Sequence, residues 1–162
     1  MSGAAGGALA TAAMSAVMYA GDKAGLMPDQ PPKRITRAVL PGGRSLPKPG
    51  EGALGLVSHF AFGTAAGALL SLLRGNRRVP PAAGAAYGLA IWLASYQGWV
   101  PAIGALPPIT RDHPSRAALM AAAHIAYGTT LATALNRARP TPPTPWPPAA
   151  QPATTPHHTP AF

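Results

Sequence analysis

The chain has 162 residues, only 10% of them charged, with 13 Lys and Arg against 4 Asp and Glu and no cysteine at all. That length allows one domain, the scarcity of charge argues against a soluble one, which carries roughly 25% charged residues, and the missing cysteine excludes disulfides, thiolate metal sites and a cysteine nucleophile. The net charge of +9 raises nucleic-acid binding, but the basic residues sit at the ends of apolar runs, where they meet lipid headgroups rather than a row of phosphates.

Residues 2–21 carry no charge; twenty helical residues span about 30 Å, the thickness of a bilayer's hydrocarbon core. No Lys or Arg precedes Lys23, so the basic start of a signal peptide is missing and a spanning helix is expected. Gly3, Gly7, Thr11, Ser15 and Tyr19 recur at four-residue steps and give that helix a small or polar stripe. Residues 22–51 then form a loop rich in proline and in basic residues. Inside it, residues 32–40 can make two helical turns at the membrane surface, with Ile35 and Val39 opposite Arg34 and Arg37. An irregular solvated loop fits the same composition.

In residues 52–73 the one ionisable side chain is His59, and Gly55, His59, Gly63, Gly67 and Ser71 share a line. Gly63 and Gly67 form the close-approach pattern of membrane helix pairs. The pattern returns at Gly3 and Gly7, at Gly84 and Gly88, and with Gly128 and Ala132. A basic turn from Arg74 to Arg78 separates this run from residues 81–99, which hold Gly84, Gly88, Trp92 and Tyr96 on one line and end at Trp99. The prolines at 101, 107 and 108, with Gly104 between them, predict a re-entrant or capping turn that cannot continue a helix. Arg111, Asp112 and Arg116 read as a solvated loop with a surface ion pair of little worth. Residues 117–135 form the fourth run, and residues 137–162 are a Pro-rich tail expected to be disordered.

One hexapeptide pattern occurs twice, as His59-Phe-Ala-Phe-Gly63-Thr and His124-Ile-Ala-Tyr-Gly128-Thr. On a helix, His and Gly four apart share a face. An ionisable group inside a membrane is costly and is a functional hypothesis by default. In one reading His59 and His124 face each other as a proton relay or as neutral metal ligands. In the other, each neutral imidazole bonds a carbonyl or a hydroxyl on a neighbouring helix and fixes register, with Thr11, Ser15, Ser95 and Thr129 as partners. Neither a Ser/His/Asp set, nor paired carboxylates, nor a phosphate-cradling loop can be assembled, so no enzyme and no cofactor is expected.

Pro31-Pro-Lys-Arg-Ile-Thr36, His59-Phe-Ala-Phe-Gly63, Tyr87-Gly-Leu-Ala-Ile-Trp92, Pro101-Ala-Ile-Gly-Ala-Leu-Pro-Pro108 and His124-Ile-Ala-Tyr-Gly128 occur in this order. Together they resemble the YagU-like group of small bacterial inner-membrane proteins, over most of residues 1–136. The resemblance implies a four-helix integral membrane protein of unassigned activity in the bacterial inner membrane, and brings no catalytic residues with it.

The sequence is therefore read as an all-α, multi-pass membrane bundle of four helices, at about 2–21, 52–73, 81–99 and 117–135, with room for a two-helix pseudo-repeat. Gly3, Gly7, Gly63, Gly67, Gly84, Gly88 and Gly128 are its packing positions. The expected partners are the lipid bilayer and a second copy or another membrane protein, not nucleic acid. A structural or regulatory role through lipids or partners is the first functional reading. A small carrier, or a protein responsive to protons or metal through His59 and His124, is the alternative.

Overall fold

The computed structural model describes residues 3–27, 30–42 and 46–139. The expected disordered tail lies, from residue 140 onward, outside the described residues. All regular elements among the described residues are helical: α1 (Gly3–Lys23), α2 (Pro31–Val39), α3 (Glu51–Arg74), α4 (Pro81–Ala94), a π-helical turn (Ser95–Trp99), α5 (Val100–Ala102), a 3₁₀ turn (Ile109–Arg111) and α6 (Pro114–Arg137). Helices α1, α3 and α6 are long and apolar enough to cross a membrane.

The punctuation is local. Proline occupies the first turn of α2, α4 and α6, where the amide it lacks would have no helical partner. Helix α1 ends with Gly25 at φ 73°, and the Leu26 amide returns to the Gly21 carbonyl at 2.9 Å, so the last carbonyls are satisfied by a left-handed glycine cap. Residues 32–40, left open between helix and loop, are helical from Pro31 to Val39. The segment does more than lie on a surface: it is seated on α3, and a Cβ on Gly55 would stand 3.0 Å from the Pro32 carbonyl oxygen.

The third run departs from expectation. A regular helix over 81–99 gives way at Ser95 to a wide turn in which Gly98 leaves helical geometry (φ −100°, ψ −108°). The chain then takes one further helical turn through Pro101, a residue expected to stop it. Proline is excluded from a regular helix because its ring meets the carbonyl four residues back. Gly98 breaks the regular ladder, so Pro101 stands in the first turn of a new helical segment, where the amide it lacks would have no helical partner.

Four long segments pack in the order α4, α6, α1, α3, and α2 lies across α3. The pairs α1/α3 and α4/α6 are antiparallel, since Gly3 meets Gly67 and Gly7 meets Gly63, while Gly84 meets Gly128 and Gly88 meets His124. A Cβ on Gly7 would stand 2.6 Å from the Gly63 carbonyl oxygen. One on Gly88 would overlap the His124 carbonyl, and one on Gly128 that of Gly84. These glycines let backbones touch directly, which is how membrane helices gain dispersion energy without a hydrophobic drive. The third close pair, α1/α6, works differently: Leu131 and Leu135 fill the space over Gly6, and Leu119 that over Gly21.

Candidate functional site

Helices α3 and α4, the ends of that order, are joined chiefly by side chains. The Tyr87 hydroxyl donates to the Ala66 carbonyl at 2.8 Å, and the rings of Phe62 and Trp99 lie 6.5 Å apart. Between them is a cavity of about 240 Å³. Thr11, Met14 and Met18 of α1 form its back wall, His59 and Phe62 of α3 one side, and Trp92, Tyr96 and Trp99 the other. Met120, His124 and Tyr127 of α6 complete it, and Pro31, Pro32 and Ile35 of α2 with Leu106 cover one end. Phe62 and Trp99 line it while each is about half exposed.

Both motif histidines line this one cavity. His59 is the ninth residue of α3 and His124 the eleventh of α6, which places them about 12 and 15 Å from the same end of the bundle. Their hydrogen bonds are not the expected ones. His124 Nδ1 lies 2.8 Å from the Met120 carbonyl, one turn back on its own helix, and His59 Nε2 is buried with no partner among the described residues. The proposed partners are engaged elsewhere or not at all. Thr11 donates to Gly7, Thr129 to Ile125, and the Ser15 hydroxyl is buried without a partner. A hydroxyl on a helix reaches its own i−4 carbonyl without any helix having to move, so Thr11 and Thr129 satisfy themselves before they bridge. Among the described residues no group of three or more His, Cys, Asp or Glu is placed to hold a metal.

What does cross between the two motif copies is a tyrosine. Tyr127, in the second copy, donates its buried hydroxyl to the carbonyl of Gly63 in the first, at 2.6 Å. The sequence offered a signal for this in the one position where the copies differ in polarity, Phe62 against Tyr127. The indole of Trp92, 9% exposed and stacked on Tyr96 at 5.7 Å, has an Nε1–H with no protein acceptor.

The loop before α6 is also unlike its expected form. Asp112 and Arg116 are paired at 2.9 Å, with side chains only 2% and 8% exposed, and Asp112 also accepts from the Tyr96 hydroxyl. The pair is therefore a buried clamp holding the wide turn against the start of α6, not a solvated surface contact. Sequence spacing placed Asp112 and Arg116 four apart but could not place Tyr96 over them. Here π-helical geometry, often associated with functional sites, sets Tyr96 and Trp99 on the cavity wall.

A second clamp seats α2. Glu51, at the head of α3 ahead of its apolar stretch, accepts from Arg37 Nε at 2.8 Å and from the Lys48 amide at 2.9 Å. Lys48 Nζ in turn donates to the Arg37 and Leu40 carbonyls. The Arg37 hydrogen bond, with that of the Lys48 amide, holds the Glu51 carboxyl well below its ordinary range, at about 2.

No curated protein and no solved structure matches the chain. One family profile does, over residues 1–145, a span that takes in both histidine motifs, the wide turn and both clamps. The chain thus belongs to the family of unknown function DUF6789.

Proposed function

We propose that this protein is a four-helix, multi-pass membrane protein without catalytic activity, working through lipophilic molecules or partners in the bilayer. The observation that carries the reading is the outward face of the bundle. Leu54, Leu56, Val57, Phe62, Leu69, Leu72, Leu73 and Leu93 are all exposed, where a soluble bundle would present charge. The family-level likeness to the YagU-like group is taken as one of architecture. In this reading α4, the wide turn and α5 act together as the fourth crossing, since their 22 consecutive residues from Pro81 to Ala102 reach about 33 Å at helical rise.

The test is topology mapping. With no native cysteine, single cysteines can be placed in turn near residues 25, 76, 104 and 138 and labelled with an impermeant maleimide from each side of sealed vesicles. Four crossings put 25 and 104 on one side and 76 and 138 on the other. If 76 and 104 label from the same side, the α4 segment does not cross and the reading fails.

A proton- or metal-responsive role for His59 and His124 is kept as the second reading because both line one cavity. It requires a response to pH or to divalent metal that disappears in His59→Leu. A response unchanged in that variant removes the histidines from the mechanism.

A further inference from the structure

The geometry points to the α3/α4 cavity as a binding site for an uncharged lipophile whose planar, conjugated head carries a carbonyl oxygen, with the Trp92 Nε1–H as the donor to that oxygen. This deepens the membrane reading and rests on it.

The argument begins with two unsatisfied groups. Trp92 is about nine-tenths buried and lines the cavity, yet its indole N–H has no acceptor among the described residues. His59 Nε2, on the facing wall, is buried and equally unpartnered. A buried polar group left unmade costs about 1–3 kcal/mol; the indole N–H can only donate and so calls for an oxygen, and His59 Nε2 joins it as a second donor in its Nε2–H tautomer. At about 240 Å³ the space is far above the roughly 10–15 Å³ that a single water needs.

The walls select the rest of the ligand. Among the described residues they hold no Lys, Arg, Asp or Glu, so none of these compensates a charged head, which the cavity would desolvate at high cost. Trp92, Tyr96, Trp99, Phe62 and Tyr127 present ring faces and edges, which favour a flat π-system by offset or edge-on stacking. Met14, Met18 and Met120 add polarisable thioethers that adapt to its outline. Phe62 and Trp99 line the cavity and are also exposed on the outward apolar face, so an alkyl tail can remain in the bilayer beside them while the head occupies the cavity.

The experiment uses the full chain in dodecyl maltoside and three probes: decylubiquinone, decylbenzene with a flat head but no oxygen, and monoolein with a carbonyl but no flat head. Thermal unfolding is followed against probe concentration. Decylubiquinone is expected to raise the midpoint saturably, and the other two to act at least tenfold more weakly. Trp92→Phe, keeping the ring and removing the donor, should need about tenfold more decylubiquinone for the same shift. The proposal is overturned if decylbenzene or monoolein equals decylubiquinone, if no probe gives a saturable shift, or if Trp92→Phe binds as the parent does. Should Trp92→Phe not fold, the comparison of the three probes on the parent still decides. Failure of the probes with the cysteine topology intact discards the ligand and leaves the membrane reading standing. A chain that alkaline carbonate strips from vesicles discards both.

Discussion

The two ends of this bundle are built on opposite principles. At the end holding the start of α1 and the close of α6, helices meet backbone to backbone through Gly3, Gly7, Gly67, Gly84 and Gly128. The connection from α3 to α4 is stapled there by Asn136, whose side chain both donates to the Val79 carbonyl at 2.7 Å and accepts from its amide at 3.0 Å. At the other end the same helices carry Met14, Met18, Phe62, Trp92, Trp99 and Met120 around a cavity, and polar clamps replace close packing. Small residues bring helices together without leaving space, because there is no side chain to arrange. Large ones hold α3 and α4 apart, and a cavity of about 240 Å³ is left among them. The closed half fixes the helices and lets the other half stay open.

The contrast can be broken from either side, and the greatest effect is expected at the open end. Asp112→Ala leaves Arg116 buried and unpaired, and should cost about 3–5 kcal/mol in thermal or denaturant unfolding. Adding Arg116→Leu should recover part of that loss, and a double variant as poor as the sum of two single ones would show that the pair is not a clamp. At the closed end, Gly128→Val places a side chain into the Gly84 backbone and should cost about 3 kcal/mol. A neutral result there would mean that α4 and α6 can separate freely.

Asn136→Ala removes two hydrogen bonds to a backbone that has few others, and about 1–2 kcal/mol is expected from the same measurement. The Glu51 clamp is read by pH instead. Its carboxyl is depressed from 4.5 to about 2, so its contribution is complete above pH 4.5 and is lost as pH falls towards 2. Hydrogen exchange in α2 should stay slow down to about pH 3, and Glu51→Gln should lose this protection at neutral pH. The smallest effect belongs to His59→Leu. With no partner for Nε2, replacement should leave stability within about 0.5 kcal/mol or raise it. A large loss would restore the imidazole as a structural bond and weaken its place in a ligand site.

Much of this was carried by local pattern. Charge-free runs of helical length, proline at first turns and glycine at caps act within a few residues, so the sequence by itself determined that α1, α3 and α6 are long apolar helices and where most elements stop. It also named His59, His124 and the glycines as positions that share faces. Tertiary structure alone decided which faces meet. Spacing puts Asp112 and Arg116 one turn apart, but only the wide turn at Ser95–Trp99 brings Tyr96 above them and buries the pair. The two histidine motifs look interchangeable in sequence, yet α1 lies between α6 and α3 on one side while α3 and α4 part on the other. That asymmetry leaves His59 without a bond, ties His124 to its own helix, and sends Tyr127 across to Gly63. A hydrogen bond or a cavity between distant segments depends on how helices of nearly equal composition are ordered around one another, and periodicity along a single helix holds no record of that order.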